Sequence, residues 1–214
     1  TAMEIFATSL ALAVGWYGLQ LYSRNKDYIL LIIATGFIGT AFLDGYHCVV
    51  SSVYFKDLLP SELGSLSPWS WLAPRLFLSI VFFLSWLAWH NNKQLGISGQ
   101  LKQSVIFIAT GIFTLLCFLF FAFIPLPRAY YPELFFHRPE EFLPALFFSL
   151  ALIGYLKKGK WKEDHFEHWI VITLIINLIA QTIFMSLSGT LFDMEFDIAH
   201  LLKKVSYVCM FIGL

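Results

Sequence analysis

Seven long apolar runs, bounded by turn residues, take up most of this 214-residue chain. A helix that crosses a bilayer needs about 20 mostly apolar residues. The runs lie at about 3–22, 28–52, 69–90, 103–124, 141–156, 167–188 and 193–214. The fifth is short, and Pro139, a favoured first-turn residue, predicts that its helix starts earlier. Each run is continuous, whereas the strands of a membrane barrel alternate polar and apolar residues. The chain is 58% hydrophobic and 13% charged, against about 45–50% and 25% in soluble domains. A large soluble domain and a disordered chain are both excluded. The expected fold is all-α and integral to the membrane, a single seven-transmembrane-helix bundle over residues 1–214. The first run is too long for a signal-peptide core and lacks a basic leader, so it reads as a span.

Net charge is zero, with 14 basic and 14 acidic residues. There is no basic excess for nucleic acid. The charges are unevenly placed, however. One set of connections holds Arg24, Lys26, Lys93, Lys102, Lys157, Lys158, Lys160 and Lys162, and the other only Lys56, Arg128 and Arg138. The Lys/Arg-rich side is expected in the cytoplasm, which puts the N-terminus outside and the C-terminus inside. Trp69, Trp71, Tyr130 and Tyr131 suit an outer interfacial belt, and Trp161 an inner one. His90, His165 and His168 fall at the inner surface. Cys48, Cys117 and Cys209 fit no zinc or redox spacing and read as small packing residues.

Ionisable groups inside a bilayer cost several kcal/mol, so they are candidate functional groups. In the second run Thr40, Asp44, His47 and Ser51 share one helical face. In the seventh, Asp193, Asp197, His200, Lys204 and Tyr207 form another stripe, and in the sixth Asn177, Gln181 and Ser188 share a face. Arg75 lies one to two turns inside the third run, Glu4 starts the first, and His137, Arg138, Glu140 and Glu141 stand at the mouth of the fifth. At 1.5 Å per residue, His47 and His200 lie roughly 8–10 Å below the outer surface. One polar pocket in the outer half of the membrane is therefore expected, lined by Asp44, His47, Arg75, His137, Arg138, Glu141, Asp197, His200 and Lys204. Of Lys203 and Lys204, one faces the pocket while the other snorkels or pairs with an acid.

Such a pocket can serve several chemistries. His47, His137 and His200 could ligate a divalent metal, with Asp44 and Asp197 as further ligands or orienting groups. Two histidines at matched depth could hold a haem iron. Arg75 and Arg138 could bind a carboxylate or phosphate without any metal. In residue inventory the chain is similar to the seven-helix zinc hydrolases of the ceramidase-like superfamily. That likeness implies an intramembrane metal-dependent hydrolase. The family places two histidines four apart on its last helix, whereas His200 is followed four residues later by Lys204.

A closer likeness rests on longer stretches. The opening segment with Glu4, Arg24, Asp44 and His47, the stretch HRPEEFLPALFFSLALIGYLKKGKW (137–161) and the stretch FDIAHLLKKVSYVCMFIGL (196–214) together resemble the third class of membrane-associated sensor (MASE) domains. The resemblance spans essentially the whole chain. It implies a multi-pass sensory input domain of the bacterial cytoplasmic membrane that performs no catalysis itself. It also implies an output module after Leu214, such as a GGDEF diguanylate cyclase or a histidine kinase, and hence a homodimer formed through that module. The expected partners are the lipid bilayer and a small-molecule, lipid or metal ligand.

Overall fold

The computed structural model describes residues 2–50, 63–95, 102–190 and 193–214. Within them the regular structure is helical throughout. The helices are α1 (Ala2–Asn25), α2 (Tyr28–Val50), α3 (Leu63–Leu95), α4 (Gln103–Phe123), α5 (Phe142–Lys158), α6 (His165–Ile179) and α7 (Met194–Gly213). α6 runs on as a π-helical segment, Ala180–Met185. A 3₁₀ turn, Pro139–Glu141, leads into α5, which is the early start that Pro139 predicts. Six of the helices are long and apolar enough to cross a membrane. α7 has spanning length but carries Glu195, Asp197, Lys203 and Lys204. Ser51 lies outside the described residues.

Six helices close into a ring. α1 packs on α2, α2 on α3, α3 on α5, α5 on α6, α6 on α7, and α7 back on α1. α4 stands outside this ring, packs on α2 and α3, and meets α1 through the Tyr22 hydroxyl at Gln103. Most of α4 therefore faces outward, as Ile108 and Leu116 do, and its composition suits lipid on that side. The ring interior is filled by Ala11, Phe37, Phe82, Phe148, Leu174, Tyr207 and Met210, among others. The end at which α1, α3, α5 and α7 start is called the upper end below.

Local sequence explains the close approaches. Lys26 (φ 55°) reverses the chain after α1, and Asp27 accepts the Ile29 backbone N–H at 2.8 Å to start α2. The resulting hairpin is tight because α1 presents Gly15 to α2. A Cβ at Gly15 would lie 2.9 Å from the Ala34 carbonyl oxygen and 2.6 Å from Ile38 Cγ1. Relief requires the two helices to separate, since a backbone atom cannot rotate away. Gly15→Leu is therefore expected to cost about 1–3 kcal/mol by overpacking, read as a shift in detergent-solubilised unfolding. Gly111→Leu is the control: nothing lies within 4 Å of that site on α4, so no loss of stability is expected there.

α3 has 33 residues and contains Pro68 and Pro74. Pro74 has no N–H to give to the Ser70 carbonyl, which loosens the helix one turn before its charged residue, Arg75. At the lower end Lys158 Nζ pairs with Glu167 Oε1 at 2.5 Å, with both side chains buried. The sequence-based expectation treats Lys158 only as part of a basic face. Within that face it is a structural pin between α5 and α6. His165 and His168 are exposed and His90 is half-buried.

A buried polar centre in the helix ring

Five of the six ring helices, and the segment Arg138–Glu141 that leads into α5, contribute polar groups to one buried region in the upper half of the bundle. Its anchor is Lys203. The Lys203 ammonium lies 2.5 Å from Asp44 Oδ1 and 3.1 Å from Glu4 Oε2. These three side chains come from α7, α2 and α1 and are almost wholly inaccessible. Tyr207 donates its hydroxyl to the second Asp44 oxygen at 3.0 Å. One cation thus holds two carboxylates that share no helix. Asp44 lies six residues from the end of α2, about 9 Å along the helix.

His200 joins the clamp on the Glu4 side. Its Nδ1 donates to the Phe196 carbonyl at 2.8 Å, and its Nε2 lies 3.3 Å from Glu4 Oε1. Both ring nitrogens face oxygen acceptors, and a neutral imidazole carries only one N–H. A neutral His200 therefore donates to one of the two acceptors. On the opposite side His47 Nδ1 meets Ser70 Oγ at 2.8 Å. Ser70 gives its own hydroxyl to the Ser67 carbonyl at 3.0 Å, so His47 is the donor of that pair.

Trp71 links these groups to a second cluster. Its ring stacks on His200 at 3.9 Å between centroids and meets His47 edge-on at 5.9 Å. The Lys203 ammonium lies 4.5 Å from the ring centroid and the Arg75 guanidinium 4.9 Å. Trp71 is thus buried inside the site, which corrects its assignment to the interfacial belt. Depth near a helix end does not identify the face, and Trp71 shares its face with Arg75, four residues on. Arg75 is fully buried, and its Nη1 donates to Asn177 Oδ1 at 2.9 Å. Arg138, Glu141 and Gln181 are buried too. Glu141 interacts electrostatically with both Arg138 and Arg75, and the Arg138 guanidinium lies 5.9 Å from the Phe196 ring.

Of the residues expected in the pocket, Asp44, His47, Arg75, Arg138, Glu141 and His200 are buried and linked by these contacts. Three others are placed differently. Asp197 is exposed. It stands in the first turn of α7, where a carboxylate meets the helix dipole in the open. Lys204 is turned toward the start of α1, with Nζ 3.1 Å from Met3 Sδ, and Lys203 takes the central position instead. His137 is half-buried and donates to the Leu187 carbonyl at 2.9 Å, beside Tyr130. His47, His137 and His200 consequently do not form one ligand set. Among the described residues no group of three or more His, Cys, Asp or Glu is placed to hold a metal ion. Glu4, Lys203, Ser70 and Trp71 belong to the site although they were not among its expected lining. The available signal for Lys203 was its i, i+4 spacing to Tyr207.

A separate groove of about 730 Å³ runs between α2 and α4, lined by Ile38, Phe42, Phe107, Thr110 and Leu115 among others. It is apolar, lies outside the ring and shares no residue with the polar centre.

No curated protein and no solved structure matches the chain. The family model for MASE3, a membrane-associated sensor domain, matches residues 1–214. A multi-pass helical bundle with a charged centre is in keeping with that match over the full length, and the chain belongs to the MASE3 family of membrane-associated sensor domains.

Proposed function

We propose that this chain is the signal-input domain of a bacterial cytoplasmic-membrane receptor. In this reading all seven helices span the membrane, with the N-terminus outside and the C-terminus in the cytoplasm. A ligand reaches the polar centre from the outer side, and α7 carries the response to an output module such as a diguanylate cyclase or histidine kinase. The observation that carries the reading is the Lys203 clamp: the last helix is tied by charge to the first two. Such a tie has two discrete states, made and broken. A ligand that prefers one of them shifts the position of α7 and so biases whatever follows it.

The test uses the full-length receptor in its membrane. Asp44→Asn keeps the shape of the clamp while removing one charge, and Tyr207→Phe removes the hydroxyl that holds the same carboxylate. Each variant is expected to shift basal output, measured as cyclic dinucleotide synthesis or autophosphorylation, by several-fold. Unchanged output from both variants, with both proteins folded and inserted, would leave α7 a plain anchor and overturn the reading.

A further inference from the structure

The second buried cluster contrasts with the Lys203 clamp. Lys203 has two carboxylates. Arg75, equally buried, has none within 4 Å among the described residues, and its one hydrogen bond goes to the neutral amide of Asn177. That bond uses Nη1. The opposite edge of the guanidinium, Nε–H and Nη2–H, meets no protein acceptor. These two N–H groups are parallel and form the side-on fork that fits a carboxylate. Asn177 on one side and the Trp71 ring below hold the fork in place. A buried polar group without a partner is costly, and a buried charge more so.

The other buried polar atoms without a hydrogen-bond partner among the described residues are of both kinds. Arg138 Nε is a donor without a protein acceptor among the described residues, and Trp71 Nε1 faces the Glu141 carboxylate. Glu141 Oε2 and Gln181 Oε1 are acceptors without protein donors. All four residues are at least nine-tenths buried. Gln181 lies one turn beyond Asn177, in the π-helical segment that departs from regular α6 geometry, and such segments recur at binding sites.

We infer that this cluster is the binding site for a small organic carboxylate that also carries a hydrogen-bond donor, of the amino-acid or hydroxy-acid kind. The carboxylate takes the Nε/Nη2 edge of Arg75. The ligand's amino or hydroxyl group gives its hydrogen to Glu141 and Gln181. This names the ligand class for the sensor reading above and rests on it for its physiological role. The binding step itself is independent of any output.

The experiment is thermal unfolding of the full chain in lipid nanodiscs against glycine, glycolate, acetate and glycinamide, with wild type, Arg75→Lys and Gln181→Leu. Glycine or glycolate is expected to raise the unfolding temperature of wild type, acetate to raise it less, and glycinamide not at all. Arg75→Lys keeps the charge but loses the fork, and apparent affinity should fall at least about ten-fold, the loss of one charge-assisted hydrogen bond. Gln181→Leu should narrow the difference between glycolate and acetate. If none of the carboxylates stabilises wild type, the cluster is filled by solvent only and the inference falls. It falls equally if glycinamide matches glycine, or if Arg75→Lys binds as tightly as wild type. Any of these failures leaves the α7 coupling standing, because that is read from the output of Asp44→Asn and Tyr207→Phe.

Discussion

Lys203→Met is expected to destabilise the domain by about 3–5 kcal/mol, the cost of leaving buried charge without its partner. Two carboxylates, Glu4 and Asp44, lose their shared cation at once, and Met fills much of the space that Lys leaves, so the loss is electrostatic. The measurement is unfolding in mixed micelles followed by far-UV circular dichroism. A second variant separates this cause from packing. Lys203→Met combined with Glu4→Gln and Asp44→Asn removes all three charges and should recover most of the stability, since a buried ion cluster can be replaced by neutral groups at small cost. The three substitutions are then strongly non-additive, as expected for residues in one network. Additive losses would mean that the clamp is not the unit described here.

The run boundaries show how much of the fold can be read without coordinates. α2 and α4 begin at the predicted residues 28 and 103, because hydrophobic length is what a bilayer selects. α3 is the exception. It begins at Leu63, before Pro68 and Pro74, because neighbouring helices hold the chain through both prolines even where Pro74 leaves the Ser70 carbonyl without its donor. The ring order and the outlying position of α4 leave no mark on a hydropathy profile. α4 is the most apolar of the helices, and its apolar residues are the same whether they meet lipid or protein.

The polar centre was legible in part for a similar reason. Charge inside an apolar run marks depth well, and Asp44, Arg75 and His200 were found that way. Facing is harder to read. Lys203 and Lys204 are adjacent, about 100° apart around the helix, and both lie at the edge of the stripe through His200 and Tyr207. Only the position of α1, with Glu4 in its first turn, decides between them. Asp197 fits the same stripe, yet it falls where the ring opens at the upper end, so it stays in contact with the surroundings. Three histidines at similar depth made a metal centre attractive. His137 comes from the extended segment before α5 and is spent on a backbone carbonyl, which no spacing rule reveals.

Trp71 carries the other large expectation. Trp71→Ala should cost about 3–5 kcal/mol, as removal of a fully buried large aromatic does. Here packing is only part of the cost. The indole lies close to two cations, Arg75 and Lys203, and is stacked on His200. Each cation held near the ring in a water-poor site gains up to about 2 kcal/mol. Without the ring, two like charges are left across a cavity lined with polar groups. Trp71→Phe keeps an aromatic face and gives up only area and the indole N–H, which faces the Glu141 carboxylate. It should therefore lose well under half of what Ala loses in the same unfolding measurement. Equal losses for Phe and Ala would assign the cost to what both variants remove, the outer part of the indole with its N–H. The two cations would then be held by Asn177 and by the carboxylates, with no contribution from the ring.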